Sequence, residues 1–238
     1  MTPSEAFFTV HRDLPREGPG VPEDVLWALD MAGAPADARM CDAACGPGAD
    51  TVTLAEARPG ARIDAVDLQA HFIEDARHRC AGFGPRVSCQ VADYTDLPGD
   101  YDFIWCAGAM YFKGFEAVLQ AWRPRLLSGG RVAFSEPAWV SEPPSREAQA
   151  FWRSEGPLDG LPSLCKRLGE AGWQVLGQRW LIGPPWEAYY TPMQDRLNAL
   201  RATDPAVAKA IDDAQDEIDT WRAAPDQIGY SLFVVEPV

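Results

Sequence analysis

Residues 39–57, RMCDAACGPGADTVTLAEA, decide the fold. RMCDA reads as a short buried strand and ADTVTLAEA as a helix, joined by the turn Asp42-Ala43-Ala44-Cys45-Gly46-Pro47-Gly48. Small residues there let backbone approach a ligand, and the helix N-terminus that follows offers unpaired amides. A plain tight turn would look the same, so its meaning rests on its neighbours.

Downstream, RIDAVDL (62–68), RVSCQVAD (86–93) and YDFIWCAGA (101–109) read as three more strands, with a helix over QAHFIEDARHRCAGF (69–83). A helix over 113–127, broken by Pro124, leads through Ser128-Gly129-Gly130 to a fifth strand, RVAFSEPAW (131–139). A polar helix, REAQAFWRSEG (146–156), a further helix (161–173) and a sixth strand, QVLGQRWLI (174–182), follow. IGYSLFVVEPV (228–238) is the last strand, with Tyr230, Leu232 and Val234 alternating against Ser231, Phe233 and Val235. This programme predicts one doubly wound α/β domain over 1–238. Residues 1–34 form an N-terminal arm and cover helix. Residues 184–228 form a helical insert or lid near the ligand crevice.

Lys+Arg 21 against Asp+Glu 35 gives a net charge of −14, which repels phosphate backbones and anionic membranes. The acidic run from Asp204 to Asp219 likewise argues against nucleic acid as partner. The six cysteines form no dense disulfide framework and read as free thiols, and the opening residues hold no apolar core of signal-peptide length. A cytoplasmic protein without a membrane association is expected.

Three acids end three consecutive strands: Asp42, Asp67 and Asp93. Asp67 stands about 20 residues past the turn, where a carboxylate can accept both hydrogens of a ribose diol. Asp93 could accept from an adenine amino group, with Tyr94 or Leu68 over the ring; alternatively it makes an Asx turn before Thr95. Together the acids converge on a nucleoside-shaped crevice. From Ala44 the turn reads A-x-G-x-x-A, a damaged frame for a dinucleotide, and an acid at position 42 disfavours a diphosphate while suiting a sulfonium. S-adenosylmethionine meets both conditions.

The chain resembles the class I S-adenosylmethionine-dependent methyltransferases, of the ubiquinone/menaquinone-biosynthesis methyltransferase-like (methyltransferase type 11) group. The likeness rests on DAACGPG, AVDL, VADYTDLP, DFIWCAGAMY and RPRLLSGGRVAFSEPAW, and covers nearly the whole chain. It implies a Rossmann-like seven-stranded, mostly parallel sheet with an antiparallel last strand. It also implies S-adenosyl-L-methionine as cofactor and S-adenosyl-L-homocysteine as product. Asp42, Ala43, Ala44, Cys45 and Gly46 would border the methionine portion, and Asp67 with Leu68 the ribose. Ala92, Asp93 and Tyr94 would meet the adenine, Cys106, Ala107 and Gly108 would floor the sulfonium, and Arg16 and Gly18 would close over it. Ala44 stands where the family usually has glycine and Ala107 where close relatives of one branch have glutamate; alanine at 44 is expected to keep an ordinary φ.

The expected reaction is in-line displacement on a small-molecule acceptor, in which the protein mainly aligns the partners and excludes water. Glu136 and Tyr111 are the catalytic candidates, with an ion pair to an arginine and a plain wall as their structural alternatives. Tyr111, Trp139, Trp186 and Tyr190 are the substrate-binding candidates. No compact ligand cluster suggests a metal. Two other readings stay open: an NAD-dependent oxidoreductase, supported by the imperfect turn and Asp67, and a non-catalytic cofactor-binding or scaffold protein. The acidic insert could support a homodimer.

Overall fold

The computed structural model describes residues 2–154, 156–203 and 205–238. Met1 of the arm, Glu155 of the polar helix and Asp204 at the head of the acidic run lie outside them. Strands β1 (Arg39–Ala43), β2 (Arg62–Asp67), β3 (Val87–Val91), β4 (Tyr101–Cys106) and β5 (Leu126–Trp139) run parallel. Strand β7 (Ile228–Pro237) lies between β5 and β6 (Trp173–Leu181), antiparallel to both, in the order β3-β2-β1-β4-β5-β7-β6. The seven-stranded, mostly parallel sheet with an antiparallel last strand is therefore as anticipated.

Helices cover both faces, which is why β1 and β4 are apolar on both sides. One face carries α2 (Pro22–Met31), α3 (Ala49–Ala57), α8 (Pro184–Thr203) and α9 (Ala208–Ala223), whose Leu29, Leu54, Tyr190 and Trp221 bury against Met40 and Phe103. The other carries α5 (Phe115–Trp122) and α7 (Leu161–Glu170), with Trp122 and Leu168 against Ile104, Phe134 and Phe233. Helix α4 (Ala70–Cys80) buries Ile73 and Ala76 in a smaller cluster with Ala65 and Cys89. Strand β1 has β2 on one side and β4 on the other, so the order reverses there and a crevice opens beyond the carboxyl ends.

One local expectation is corrected and two gain detail. The arm contains a helix: Pro3–Val10 form α1, because Thr2 accepts from the Glu5 amide at 3.2 Å while Glu5 accepts from the Thr2 amide at 2.7 Å. The helix expected over 113–127 ends at Trp122; Pro124 sits in a 3-10 turn, and Leu126 already belongs to β5. The insert is two helices, α8 and α9, whose Gln194 and Gln215 side-chain amides exchange hydrogen bonds of 2.6 and 3.0 Å.

Glu136 also departs from its expected place. Along β5 it shares a face with Phe134 and Ala138, toward α5 and α7, whereas the crevice opens beside Tyr230 on the opposite face. The carboxyl is 8% exposed and its Oε2 has no hydrogen-bond partner. Burial pushes its pKa from 4.5 up to about 8, against the pull of Arg167, which is itself engaged by Glu116 and Asp159. Its catalytic assignment fails on position, since a strand side chain cannot face both sides of the sheet.

Between about pH 5 and 8 the folded protein keeps a proton at Glu136 that the unfolded chain releases, so this residue lowers stability as pH rises through that window. Glu136→Gln is expected to match the parent near pH 5 and to exceed it by a few kcal/mol at pH 8. Urea unfolding of both proteins across this range checks the prediction; parallel stability curves would refute it.

Candidate active site

The turn after β1 is held by two side-chain ties. Asp67, at the end of β2, accepts the Gly46 amide on Oδ2 at 3.0 Å and the Gln69 amide on Oδ1 at 2.8 Å. Asp42 accepts the Thr51 hydroxyl at 2.5 Å, linking β1 to α3. Gly48 adopts φ +87, and a Cβ there would stand 3.0 Å from the Ala76 Cβ, so glycine is needed both for the turn and for the approach of α4. Ala44 adopts φ +59, which overturns the expectation of an ordinary φ. An L-residue pays strain in this left-handed region, of about 1 kcal/mol or more.

These residues floor one half of a cavity of about 600 Å³, a volume typical of small-ligand sites. The floor is made by Asp42, Ala44, Cys45, Gly46, Asp67 and Leu68. Tyr94, Ala107 and Gly108 continue it beneath the β4 end, and Arg16 and Gly18 reach over from the arm. Tyr111 and Trp186 stand in the other half. The structure thus gathers most of the expected site around one space.

Several candidates do not line it. Ala43 and Cys106 point into the core on the α5–α7 face, because each alternates with a cavity neighbour along its strand. Ala92 packs against the same core. Asp93 takes its Asx-turn alternative: it accepts from the Thr95 amide at 2.9 Å and from the Lys113 ammonium at 2.6 Å. The lysine, ahead of the Thr95 contacts, holds the Asp93 carboxyl down at about 2. Trp139 donates its amide to the Asp159 carbonyl at the end of β5, away from the cavity. Tyr190 is fully buried behind the wall, its hydroxyl donating to Glu217 at 2.7 Å, and its neighbour Tyr189 faces the cavity instead. Consecutive helical residues lie about 100° apart, so only one of the two can face inward.

Other lining residues were not anticipated: Asp50, Trp105, Trp152, Glu217 and Tyr230, while Glu17 falls in the arm stretch from Arg16 to Gly20 expected to close over the site. Trp105 was within reach of the pattern, since it shares a strand face with Ala107. Its indole donates to Asp50 at 3.1 Å, and Arg16 binds the other oxygen of Asp50 at 2.7 Å, latching the arm to α3. Glu17 pairs with His11 at 2.7 Å and lies over Gly46, its Oε1 buried without a partner.

The electrostatics of the floor are those of a cation site. Burial pushes Asp42 well above the ordinary carboxylate range, the nearby charge of Asp50 adds to this, and Thr51 opposes it. Burial also raises Asp67, against the hydrogen bonds from the Gln69 and Gly46 amides, and raises Glu17 against His11. Carboxyls crowded together out of water gain from a positive ligand and lose from a negative one.

Comparison with known proteins agrees with this geometry. Residues 40–130 match the family described as a methyltransferase domain. An uncharacterized Synechococcus protein is 35% identical over 98 residues, 39% of this chain and 24% of the relative. The trans-aconitate 2-methyltransferase of Paracidovorax citrulli is 31% identical over 125 residues, 50% of this chain and 48% of the relative. The chain thus spans half or less of these curated relatives. A solved S-adenosylmethionine-dependent methyltransferase from Geobacter sulfurreducens, in complex with S-adenosylhomocysteine, superimposes with a TM-score of 0.85 at 20% identity, covering 98% of each chain, which shows a shared fold. Residues 40–130 thus match a methyltransferase domain, and over its whole length the chain shares the fold of the solved S-adenosylmethionine-dependent methyltransferase.

Proposed function

We propose that this protein transfers a methyl group from S-adenosylmethionine to a small-molecule acceptor. The observation that carries the reading is the acid-walled floor between β1 and β2 opening directly into a second, aromatic half of the same cavity. Bound there, the cofactor supplies an electrophilic methyl group on a sulfonium.

The residues present fit that group. Asp67 keeps lone pairs for the ribose diol after receiving two amides. The buried, unpartnered Glu17 Oε1 and the raised Asp42 suit the ammonium of the methionine portion. A dinucleotide fits worse, because its diphosphate would meet Asp42, Asp50 and Glu17 at the turn where amides should prevail. That disfavours the oxidoreductase reading. The cofactor set so supported is Arg16, Gly18, Asp42, Ala44, Cys45, Gly46, Asp67, Leu68, Tyr94, Ala107 and Gly108. Tyr111 stays the candidate for contact with the reacting end of the acceptor, with Trp186 on the acceptor side.

The chain's own residues would act by position. The floor fixes the donor, the aromatic walls exclude water and orient the acceptor, and Arg16 on Asp50 holds the arm across the floor. We read 1–238 as one functional unit in which 1–34 covers and 184–228 walls the cavity. The six free cysteines support residence in the reducing cytoplasm, and no helix among the described residues is long and apolar enough to cross a membrane.

Titration calorimetry with S-adenosylhomocysteine and with NAD tests the proposal: micromolar binding of the first without the second supports it, and the reverse overturns it. Asp67→Ala is expected to weaken S-adenosylhomocysteine binding by about tenfold to a hundredfold, the loss of a charged hydrogen-bond acceptor at the ribose. Unchanged affinity in a folded variant would remove the ribose assignment. Ala44→Gly relieves the left-handed strain and is expected to raise the thermal midpoint, by the equivalent of up to about 1 kcal/mol. A lower midpoint would show that the turn is not strained.

A further inference from the structure

The cavity runs across the strand ends from β7 to β2, with β5, β4 and β1 between them. Its half nearer β7 is walled by α6 (Arg146–Phe151), α8, α9 and Tyr230. Its other end lies past Asp67, among Phe7 and Phe8 of α1 and Leu68, Gln69 and Phe72 at the head of α4. The Phe8 ring meets those of His71 and Phe72 at 5.0 and 6.3 Å between centroids, which seats α1 on the first turn of α4. Phe7 stacks one face on His11 at 3.9 Å, and yet Phe7 and Leu68 are 50% and 52% exposed. Two large apolar side chains left half bare at one end of a cleft mark a surface that a flat apolar group would cover. Gln69 adds the polar element: its backbone amide goes to Asp67, while its side-chain amide has no hydrogen-bond partner among the described residues.

The groups expected to read an adenine are committed elsewhere. The Ala92 amide donates to the Asp67 carbonyl at 3.0 Å. On Asp93, Oδ1 accepts from the Thr95 amide, the Thr95 hydroxyl and Lys113, and Oδ2 accepts from Lys113 at 2.6 Å. Neither residue lines the cavity. We propose that Phe7, Leu68 and Gln69, and not Asp93, hold the base of the cofactor, and that they accept a 6-oxopurine as readily as adenine. The proposal rests on the methyl-transfer reading above and names what its donor end recognises.

The ribose joins the base to the methionine portion. With the ribose on Asp67 and the methionine portion near Gly46 and Glu17, the lining left for the base beyond Asp67 is this apolar end. A purine has two apolar faces, which Phe7 and Leu68 suit, and a polar edge. On that edge adenine carries an N–H donor at position 6 beside an acceptor at N1, and hypoxanthine carries the reverse, an oxygen at position 6 beside N1–H. A carboxylate beside position 6 accepts from the amino group and is repelled by the oxygen. A side-chain amide holds both a donor and an acceptor, and a half-turn about its last bond exchanges them. Gln69 therefore matches either base and selects neither.

Titration calorimetry on the full chain tests this with three probes: S-adenosylhomocysteine, its deaminated form S-inosylhomocysteine, and S-ribosylhomocysteine, which lacks a base. The adenosyl and inosyl compounds are expected to bind within about threefold of each other, and the ribosyl compound about tenfold or more weaker. Phe7→Ala should weaken both nucleosides by about tenfold and leave the ribosyl compound unchanged. Gln69→Glu, which can only accept, should open a preference of about tenfold for the adenosyl over the inosyl compound, a shift that a merely structural residue would not produce. Asp93→Asn should keep S-adenosylhomocysteine affinity within about twofold, with thermal unfolding followed alongside to check the fold. The comparison of the two nucleosides in the parent protein needs no variant and stands alone. A parent that binds the inosyl compound about tenfold or more weakly overturns the proposal, as does a folded Asp93→Asn that loses S-adenosylhomocysteine. Failure of S-adenosylhomocysteine to bind the parent would instead overturn the methyl-transfer reading, so the two failures are told apart.

Discussion

The hydrogen bond from the Gly46 amide to the Asp67 carboxylate ties the end of β2 to the turn that follows β1. Strands β1 and β2 are already paired in parallel from Arg39 with Arg62 to Ala43 with Val66, so this contact extends their register past the sheet edge. The turn, Gly48 and the start of α3 are positioned from that point, and with them every side chain on the cavity floor. The second tie, Thr51 to Asp42, fixes α3 against β1 from the inside. One acid thus anchors the loop from β2 and another anchors the helix from β1.

The same acids set the electrostatics of the floor. Asp42, Asp67 and Glu17 are all raised by burial, which disfavours the charged form of each relative to water. Thr51, two backbone amides and His11 offset part of that cost. None of these contacts supplies a full charge except His11 when protonated, and the remainder is left to whatever cation arrives. Stability is given up at the floor in order to recognise a positive ligand, a pattern common where binding sites violate the rules of the core.

Most of the fold was legible, because a parallel sheet announces itself through short doubly buried strands alternating with helices. The antiparallel direction of the last strand is implied by the likeness to known sequences, since strand direction and order cannot be read from periodicity. The site was legible where strand parity or chain adjacency governs it, as for Asp42, Gly46, Asp67 and Ala107. It was illegible where distant segments meet. Glu217 and Tyr230 reach the cavity from α9 and β7, and no local pattern joins them. Glu136 lies near a strand end, but its parity turns it to the other face of the sheet, and Lys113, 20 residues on, folds back on Asp93 from outside any local pattern. The capping box of α1, by contrast, was written in Thr2-Pro3-Ser4-Glu5.

Strand β7 lies inside the sheet, and its Tyr230 is the ring on which Trp186, Trp152 and Tyr111 converge. During synthesis, β1 to β5 leave the ribosome well before it, with one long edge of β5 bare. That edge, Val132 to Trp139, is among the most apolar in the molecule and must wait for residues 228–235 before it is covered. A nascent chain halted anywhere in α8 or α9 holds a completed floor beside an unclosed sheet. Chain order therefore brings this wall together only after β1 to β5, and until β7 arrives the edge of β5 is open to pairing by another strand.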